Sequence, residues 1–342
     1  MQFVFPKTEE FVRAHVAGGG AGDVMLSIGI GDKRYRFFHS SRGDVLTDTT
    51  LVDMMSVTKV LATTPLCLIA LSEGKLRLTD TLGDLFSGAP EHLAPVTVQQ
   101  LLTHTSGLRH SFLPMDGAPY DHGRALAEQW KKKLFSAPGE SCVYACNNML
   151  LLAFALEEIY GEPLNALFDR RVAKPLGLVN THFLCDKDTD RILCTRQEGD
   201  NLCDDPSARR LCGVAGNAGI FSCMRDMERY AQSLLGGLAE LLPVDVFAAA
   251  KQNYTAHLEA ARGLGYLYVD DRYPQTGRLF SNGSIGHCGH SGQSVFVDFE
   301  KQMYVVALSN TTLYSACRGG TYADTERFRE ELHNAIADDL KI

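Results

Sequence analysis

The chain has no surplus of positive charge: 33 lysines and arginines stand against 41 aspartates and glutamates, for a formal net charge of −8. A polyanionic partner such as nucleic acid is therefore not expected. The one dense basic cluster, Lys131-Lys132-Lys133 after Trp130, reads as the solvated end of a helix. Long apolar runs are also missing. The stretch 60–71 is too short to cross a bilayer and contains Pro65, and residues 1–10 carry charges without a secretory apolar core, so no membrane segment is expected. No linker rich in proline, serine or glycine divides the chain, and no internal repeat is visible. Its ten cysteines lack the regular spacing of a disulfide framework, and Cys203, Cys212 and Cys223 are too widely spaced for a zinc ribbon. With no signal peptide in view, the expectation is a cytoplasmic protein with mostly free thiols.

What is present is the composition of a soluble globular protein, 45% hydrophobic and 22% charged over 342 residues. That length buries about three quarters of the unfolded surface. An amphipathic helix over 6–16 ends in Gly18-Gly19-Gly20, and alternating apolar residues over 24–38 turn at Gly31-Asp32 as a hairpin. A mainly helical middle follows, and strand patterns return at 264–269, 293–299 and 303–309 before a helical segment at 325–340. Strands at both ends imply one antiparallel sheet shared by the termini and backed by the first and last helices. The fold class is thus α/β of the α+β kind: residues 1–54 and 255–342 form a sheet lobe, 55–254 a helical lobe, with the binding cleft between them.

Chemistry concentrates at Ser56-Val57-Thr58-Lys59, which opens the apolar stretch 57–71. At i and i+3 on a helix the two side chains lie about 5–6 Å apart at Cβ, so a lysine can take the proton of an otherwise poor serine nucleophile. The free N–H groups of the helix start favour an oxyanion beside the serine, and apolar surroundings lower a lysine's pKa. Pro65 is expected to kink this helix beyond the site. A second copy, Ser72-Glu73-Gly74-Lys75, falls at the far end where Gly74 reads as a stop; there the polarity is wrong, and Ser72 and Lys75 read as surface and capping residues. Taken alone, Ser56 would be an ordinary helix cap.

Two further elements change that reading. Tyr144-Ala145-Cys146-Asn147-Asn148 follows Pro138-Gly139, and Gly286-His287-Cys288-Gly289-His290-Ser291-Gly292 precedes an alternating strand. With Ser56 and Lys59, and with segments such as Leu101-Leu102-Thr103-His104-Thr105-Ser106-Gly107-Leu108, they make the chain resemble the serine β-lactamase-like family. That family includes class C β-lactamases, D-alanyl-D-alanine peptidases and related esterases. The resemblance implies that Ser56 is acylated, that Lys59 and Tyr144 move protons, and that the backbone N–H groups of Ser56 and His290 form the oxyanion hole. His287, Cys288 and Gly289 would match the third motif, with Cys146 and Cys288 facing substrate and the bare Gly289 letting substrate lie along the strand.

Two positions depart from the family pattern. Cys146 stands where an asparagine is usual, and a thiol is a poor donor to a substrate carbonyl. Asn147 and Asn148 are neighbours that point elsewhere. His287 stands where a lysine is common, so the fixed positive charge is lost above a histidine pKa near 6.5. His104 reads as structural. His287 and His290 have a spacing open to a metal, but nothing in the sequence completes a ligand set, and neither metal nor cofactor is expected. The expected function is a serine hydrolase acting through an acyl-enzyme on a small-molecule ester, amide or β-lactam-like substrate, with esters and peptide-like amides ranked above β-lactams. A β-lactamase or D,D-peptidase is the alternative within the fold, and a catalytically silent binding protein the alternative outside it.

Overall fold

The computed structural model describes residues 3–43, 45–115, 118–183, 192–193 and 203–342. Among them run the strands β1 (Asp23–Ile30), β2 (Lys33–Ser40), β3 (Leu51–Asp53), β4 (His182–Phe183), β5 (Ile192–Leu193), β6 (Ile220–Ser222), β7 (Leu267–Tyr268), β8 (Ile285–Cys288), β9 (Ser294–Asp298) and β10 (Met303–Ser309). Six of them form one sheet in the order β2-β1-β10-β9-β8-β7, antiparallel throughout. The sheet shared by the two termini is therefore present, and the class read from the sequence holds.

Alternation along the central strands decides what covers each face. Val24, Leu26 and Ile28 of β1 and Met303, Val305 and Ala307 of β10 pack with Val12, Phe328, Leu332 and Ile336 of the terminal helices Pro6–Ala17 and Tyr322–Leu340. Met25 and its neighbours Tyr304, Val306 and Leu308 belong to the larger core, where Met227, Tyr230 and Leu234 of the helix Met224–Leu235 cover the opposite face. That helix comes from the middle of the chain. The sequence reading assigned it to the helical lobe, because linear order does not reveal that its apolar side meets the sheet. A second small sheet, β4-β6-β3-β5, was also not anticipated; its strands are two or three residues long, too short to show a period of two. Its strand β3 leads directly into Ser56.

The nucleophile segment is not a plain α-helix. A 3₁₀ turn, Met55–Val57, is followed by a π turn, Lys59–Thr63, and only then by the α-helix Thr64–Ser72. Pro65 explains the π turn: it has no N–H for the Leu61 carbonyl, and its ring crowds that position. The chain responds by widening one turn upstream, so that Thr64 N–H reaches the Lys59 carbonyl. The freed Val60 carbonyl accepts from the Tyr230 hydroxyl at 2.5 Å. Pro175 is handled identically, with a π turn over Asp169–Ala173 just before it. The kink expected beyond the active site is thus a π turn beginning at Lys59 itself. The segment Met55–Ser72 has the length and apolarity of a membrane span, but 83% of it is buried inside the fold.

Glu228 ties the helix Met224–Leu235 to the sheet. Its carboxylate is 2% exposed and accepts from Ser27 Oγ at 2.7 Å, Arg36 Nε at 2.6 Å and Arg34 Nη1 at 2.9 Å. Glu228→Ala is expected to cost about 2–4 kcal/mol, less than a fully buried pair because Arg34 and Arg36 still reach water. Urea denaturation measures this; an unchanged midpoint would show that the cluster does not hold helix to sheet.

Candidate active site

Ser56 sits on a turn held under backbone strain. Met55, just before it, has φ +50°, a left-handed conformation costly for a side chain of this kind. Asp53 secures the turn, accepting from Met55 N–H at 2.8 Å through one oxygen and from Asp204 N–H at 2.7 Å through the other. Complete burial pushes the Asp53 carboxyl up to about 7, against the pull of those two amides.

The partner comes from the next turn. Lys59 opens the π turn three residues after Ser56, and Nζ lies 2.8 Å from Ser56 Oγ. The same nitrogen donates to the Asn217 carbonyl at 2.8 Å. Lys59 is wholly buried, and desolvation lowers its pKa from the ordinary lysine value. A neutral amine can direct its lone pair at the serine proton while an N–H stays on Asn217. Tyr144 completes the set with its hydroxyl 2.8 Å from the same Oγ. Burial holds that phenol well above its usual range, so it is present as a proton donor.

His104 positions Tyr144, a sharper role than the sequence assigned. It adopts φ +57°, its carbonyl accepts from Val143 N–H at 2.9 Å, and its ring lies 4.9 Å from the Tyr144 ring. Nδ1 receives both Ala145 N–H at 3.3 Å and Asn148 Nδ2 at 3.0 Å, which places the imidazole proton on Nε2. Asn148 also accepts from Ser106, and Asn147 joins Gln129 and Ser111. Both amides are therefore committed to scaffolding and face away from Ser56.

The third element arrives on β8. Strand β7 pairs with Ile285 and Gly286 and stops short of His287, leaving that end of β8 beside the cleft. Gly289 is explained by crowding: a Cβ there would lie 2.9 Å from the Met54 carbonyl and 2.6 Å from Gln293 Oε1. The glycine thus lets the end of β8 approach the nucleophile turn, a reason the substrate-strand expectation did not supply. The His287 ring is 6.2 Å from that of Tyr144, with Nδ1 2.9 Å from the Cys288 carbonyl. Burial first, then the positive charges of Lys59 and Arg262, hold His287 well below 6.5. The ring is therefore held uncharged at neutral pH, and the expectation that it charges just below pH 6.5 gives way to a charge change at lower pH. The His290 ring stacks on Tyr322 at 4.9 Å, and among the described residues no three metal-ligating side chains gather.

These residues line one cavity of about 730 Å³, with Ser56, Tyr144, Cys146, His287, Cys288 and His290 on its wall. Lys59 and Gly289 lie beneath that surface. Cys146 Sγ is 3.8 Å from the Tyr144 hydroxyl; burial raises its pKa, but Lys59 and His110 outweigh that and the net shift is downward. Cys288 Sγ lies 3.3 Å from the Tyr273 hydroxyl. The sequence reading missed His110 and Arg262, which also line the cavity. Neither belongs to a motif. Arg262 is only 8% exposed, its Nε has no partner among the described residues, and its guanidinium stands 5.8 Å from the Tyr144 ring centre.

A family model described as Beta-lactamase matches residues 9–323. A putative D-alanyl-D-alanine carboxypeptidase of Escherichia coli O157:H7 is 29% identical over 305 residues, covering 77% of this chain and 70% of that protein. The D-alanyl-D-alanine-carboxypeptidase/endopeptidase AmpH of Escherichia coli K12 is 26% identical, covering 79% and 75%. Among solved structures, EstCE1, a hydrolase with promiscuous acyltransferase activity, superposes with a TM-score of 0.78 at 21% identity over 97% of both chains. The octameric penicillin-binding protein homologue from Pyrococcus abyssi gives 0.72 at 19% identity, over 93% of this chain and 78% of that one.

The buried lysine has a consequence for stability. Below 10.5 the unfolded chain keeps a proton on Lys59 that the folded chain releases more readily, so folding is penalised, and the penalty fades as pH rises toward 10.5. Wild type should therefore gain stability relative to Lys59→Met between pH 7 and pH 10. Urea midpoints of both proteins at the two pH values measure this; parallel changes would mean that Lys59 keeps an ordinary pKa.

Proposed function

Because the chain belongs to the beta-lactamase family and is a serine hydrolase, we propose that it cleaves small esters or peptide-like amides through an acyl-enzyme on Ser56. The observation that carries this reading is the contact of Ser56 Oγ with both Lys59 Nζ and Tyr144 OH, each at 2.8 Å, on the wall of the cavity. Lys59 accepts the serine proton as Oγ attacks the carbonyl, and the N–H groups of Ser56 and His290 hold the oxyanion. Tyr144 gives a proton to the leaving group and takes in its place the proton that Lys59 removed from Ser56. Water then enters along the same path in reverse and releases the acid.

Two features favour esters and peptide-like amides over β-lactams. Cys146 replaces an amide donor, and the neutral His287 offers no charge to a carboxylate. Arg262 supports a second reading, a peptide with a free carboxylate, since its guanidinium lines the same cavity and is fixed in charge. The relatives carry the names putative D-alanyl-D-alanine carboxypeptidase and D-alanyl-D-alanine-carboxypeptidase/endopeptidase, which agrees with that alternative.

Hydrolysis of p-nitrophenyl acetate, nitrocefin and a peptide ending in D-Ala-D-Ala ranks the three classes. Ser56→Ala should abolish turnover of every one and keep the fold, and turnover surviving in that variant would defeat the assignment. Arg262→Met should raise KM for the peptide and leave the uncharged ester alone; equal effects on both would remove Arg262 from carboxylate recognition. Cys146→Asn should raise kcat/KM for nitrocefin about 3–10-fold relative to the ester, the worth of one neutral hydrogen bond. An unchanged ratio would show that the missing asparagine does not set substrate choice.

A further inference from the structure

Arg329 lies on the C-terminal helix, 273 residues from Ser56 by subtraction of their numbers, and has no part in the proton transfers above. It is completely buried. Its Nη2 donates to the carbonyl of Gly289, and its Nη1 to Gln275 Oε1 at 2.8 Å and to the Tyr322 hydroxyl at 3.1 Å. Among the described residues no carboxylate pairs with it, and its Nε is unpartnered. A buried guanidinium satisfied by neutral acceptors alone is a costly thing to keep. Packing would be served as well by an apolar side chain of similar volume, so the charge calls for another account.

The position of Gly289 supplies it. The Gly289 carbonyl and the His290 N–H belong to one planar trans peptide unit, and so point in opposite directions. Whatever grips the carbonyl aims the N–H. Gly292 N–H reaches the same carbonyl at only 3.3 Å, the long closing bond of a turn, whereas Arg329 approaches it closely and with full charge. On the other side, the missing Cβ of Gly289 lets this peptide settle near the Met54 carbonyl, one turn from the Ser56 N–H. A cation on the carbonyl also polarises the peptide, which makes the His290 N–H a stronger donor and adds positive potential where an oxyanion forms.

The geometry points to Arg329 as the positioning residue of the oxyanion hole: it holds the Gly289–His290 peptide so that the His290 N–H faces the carbonyl under attack by Ser56. Arg329 touches neither substrate nor reacting atoms. The inference rests on the acyl-enzyme reading of Ser56 and adds what sets the strength of that hole.

The test compares wild type, Arg329→Met and Arg329→Lys as full-length proteins. With p-nitrophenyl acetate, Arg329→Met should lose about 10–100-fold in kcat with little change in KM, somewhat less than deletion of an oxyanion donor outright. Arg329→Lys, which keeps a charged donor without the fork, should recover part of the loss. Two readouts separate aiming from general damage. The infrared carbonyl stretch of the acyl-enzyme should move to higher frequency in Arg329→Met, and affinity for a phenylboronic acid, whose adduct places an oxygen in the hole, should fall in step with kcat. If Arg329→Met does not fold, Arg329→Lys carries the same comparison. An unchanged stretch and boronate affinity in the folded variant would overturn the inference, as would wild-type kcat. Turnover surviving in Ser56→Ala would instead overturn the acyl-enzyme reading on which it stands.

Discussion

The burial of one amine governs the rest of this structure. Lys59 is useful as a base only where water cannot keep it charged, and its fully buried side chain, with Nζ on Ser56 Oγ and the Asn217 carbonyl, meets that condition. Much of the surrounding architecture follows from enclosing that nitrogen while leaving the serine open to the cavity. The 3₁₀ turn carries Ser56, and the π turn that begins at Lys59 absorbs Pro65 without withdrawing the lysine. Its neighbours Tyr144 and His287 stay uncharged under the same desolvation.

Cost is concentrated where function needs it. Met55 carries the strained φ, Asp53 is buried to clamp it, and Arg329 is buried without a carboxylate behind the Gly289 peptide. Each is unfavourable in isolation and each fixes a backbone unit next to the reacting carbonyl. The rigid parts that carry these costs are ordinary: a sheet packed on both faces, and a helix bound to it through the buried Glu228.

The sheet, its terminal helices and the convergence of Ser56, Lys59 and Tyr144 were legible because period-two patterning and short motifs report local structure. Other features were not. The π turn depends on how the fold answers Pro65, and the four-stranded sheet has strands too short to pattern. The packing of the helix Met224–Leu235 on the sheet was hidden because chain order does not encode which surface its apolar side meets. His110, Arg262 and Arg329 belong to no motif and reach the site only through tertiary packing. His287 was read with an ordinary pKa, and burial among Lys59, Arg262 and Arg329 is what keeps it neutral.

Cys146 brings a second potential nucleophile to the cavity, with its thiol pKa lowered by Lys59 and His110. The central claim is that Ser56, and not this thiol, carries the acyl group. The direct measurement is to quench the protein in acid during steady-state turnover of p-nitrophenyl acetate, digest it, and locate the acetyl group by mass spectrometry. The account predicts a single acetyl group on the peptide containing Ser56; an acetyl group on Cys146, or none during active turnover, would contradict it.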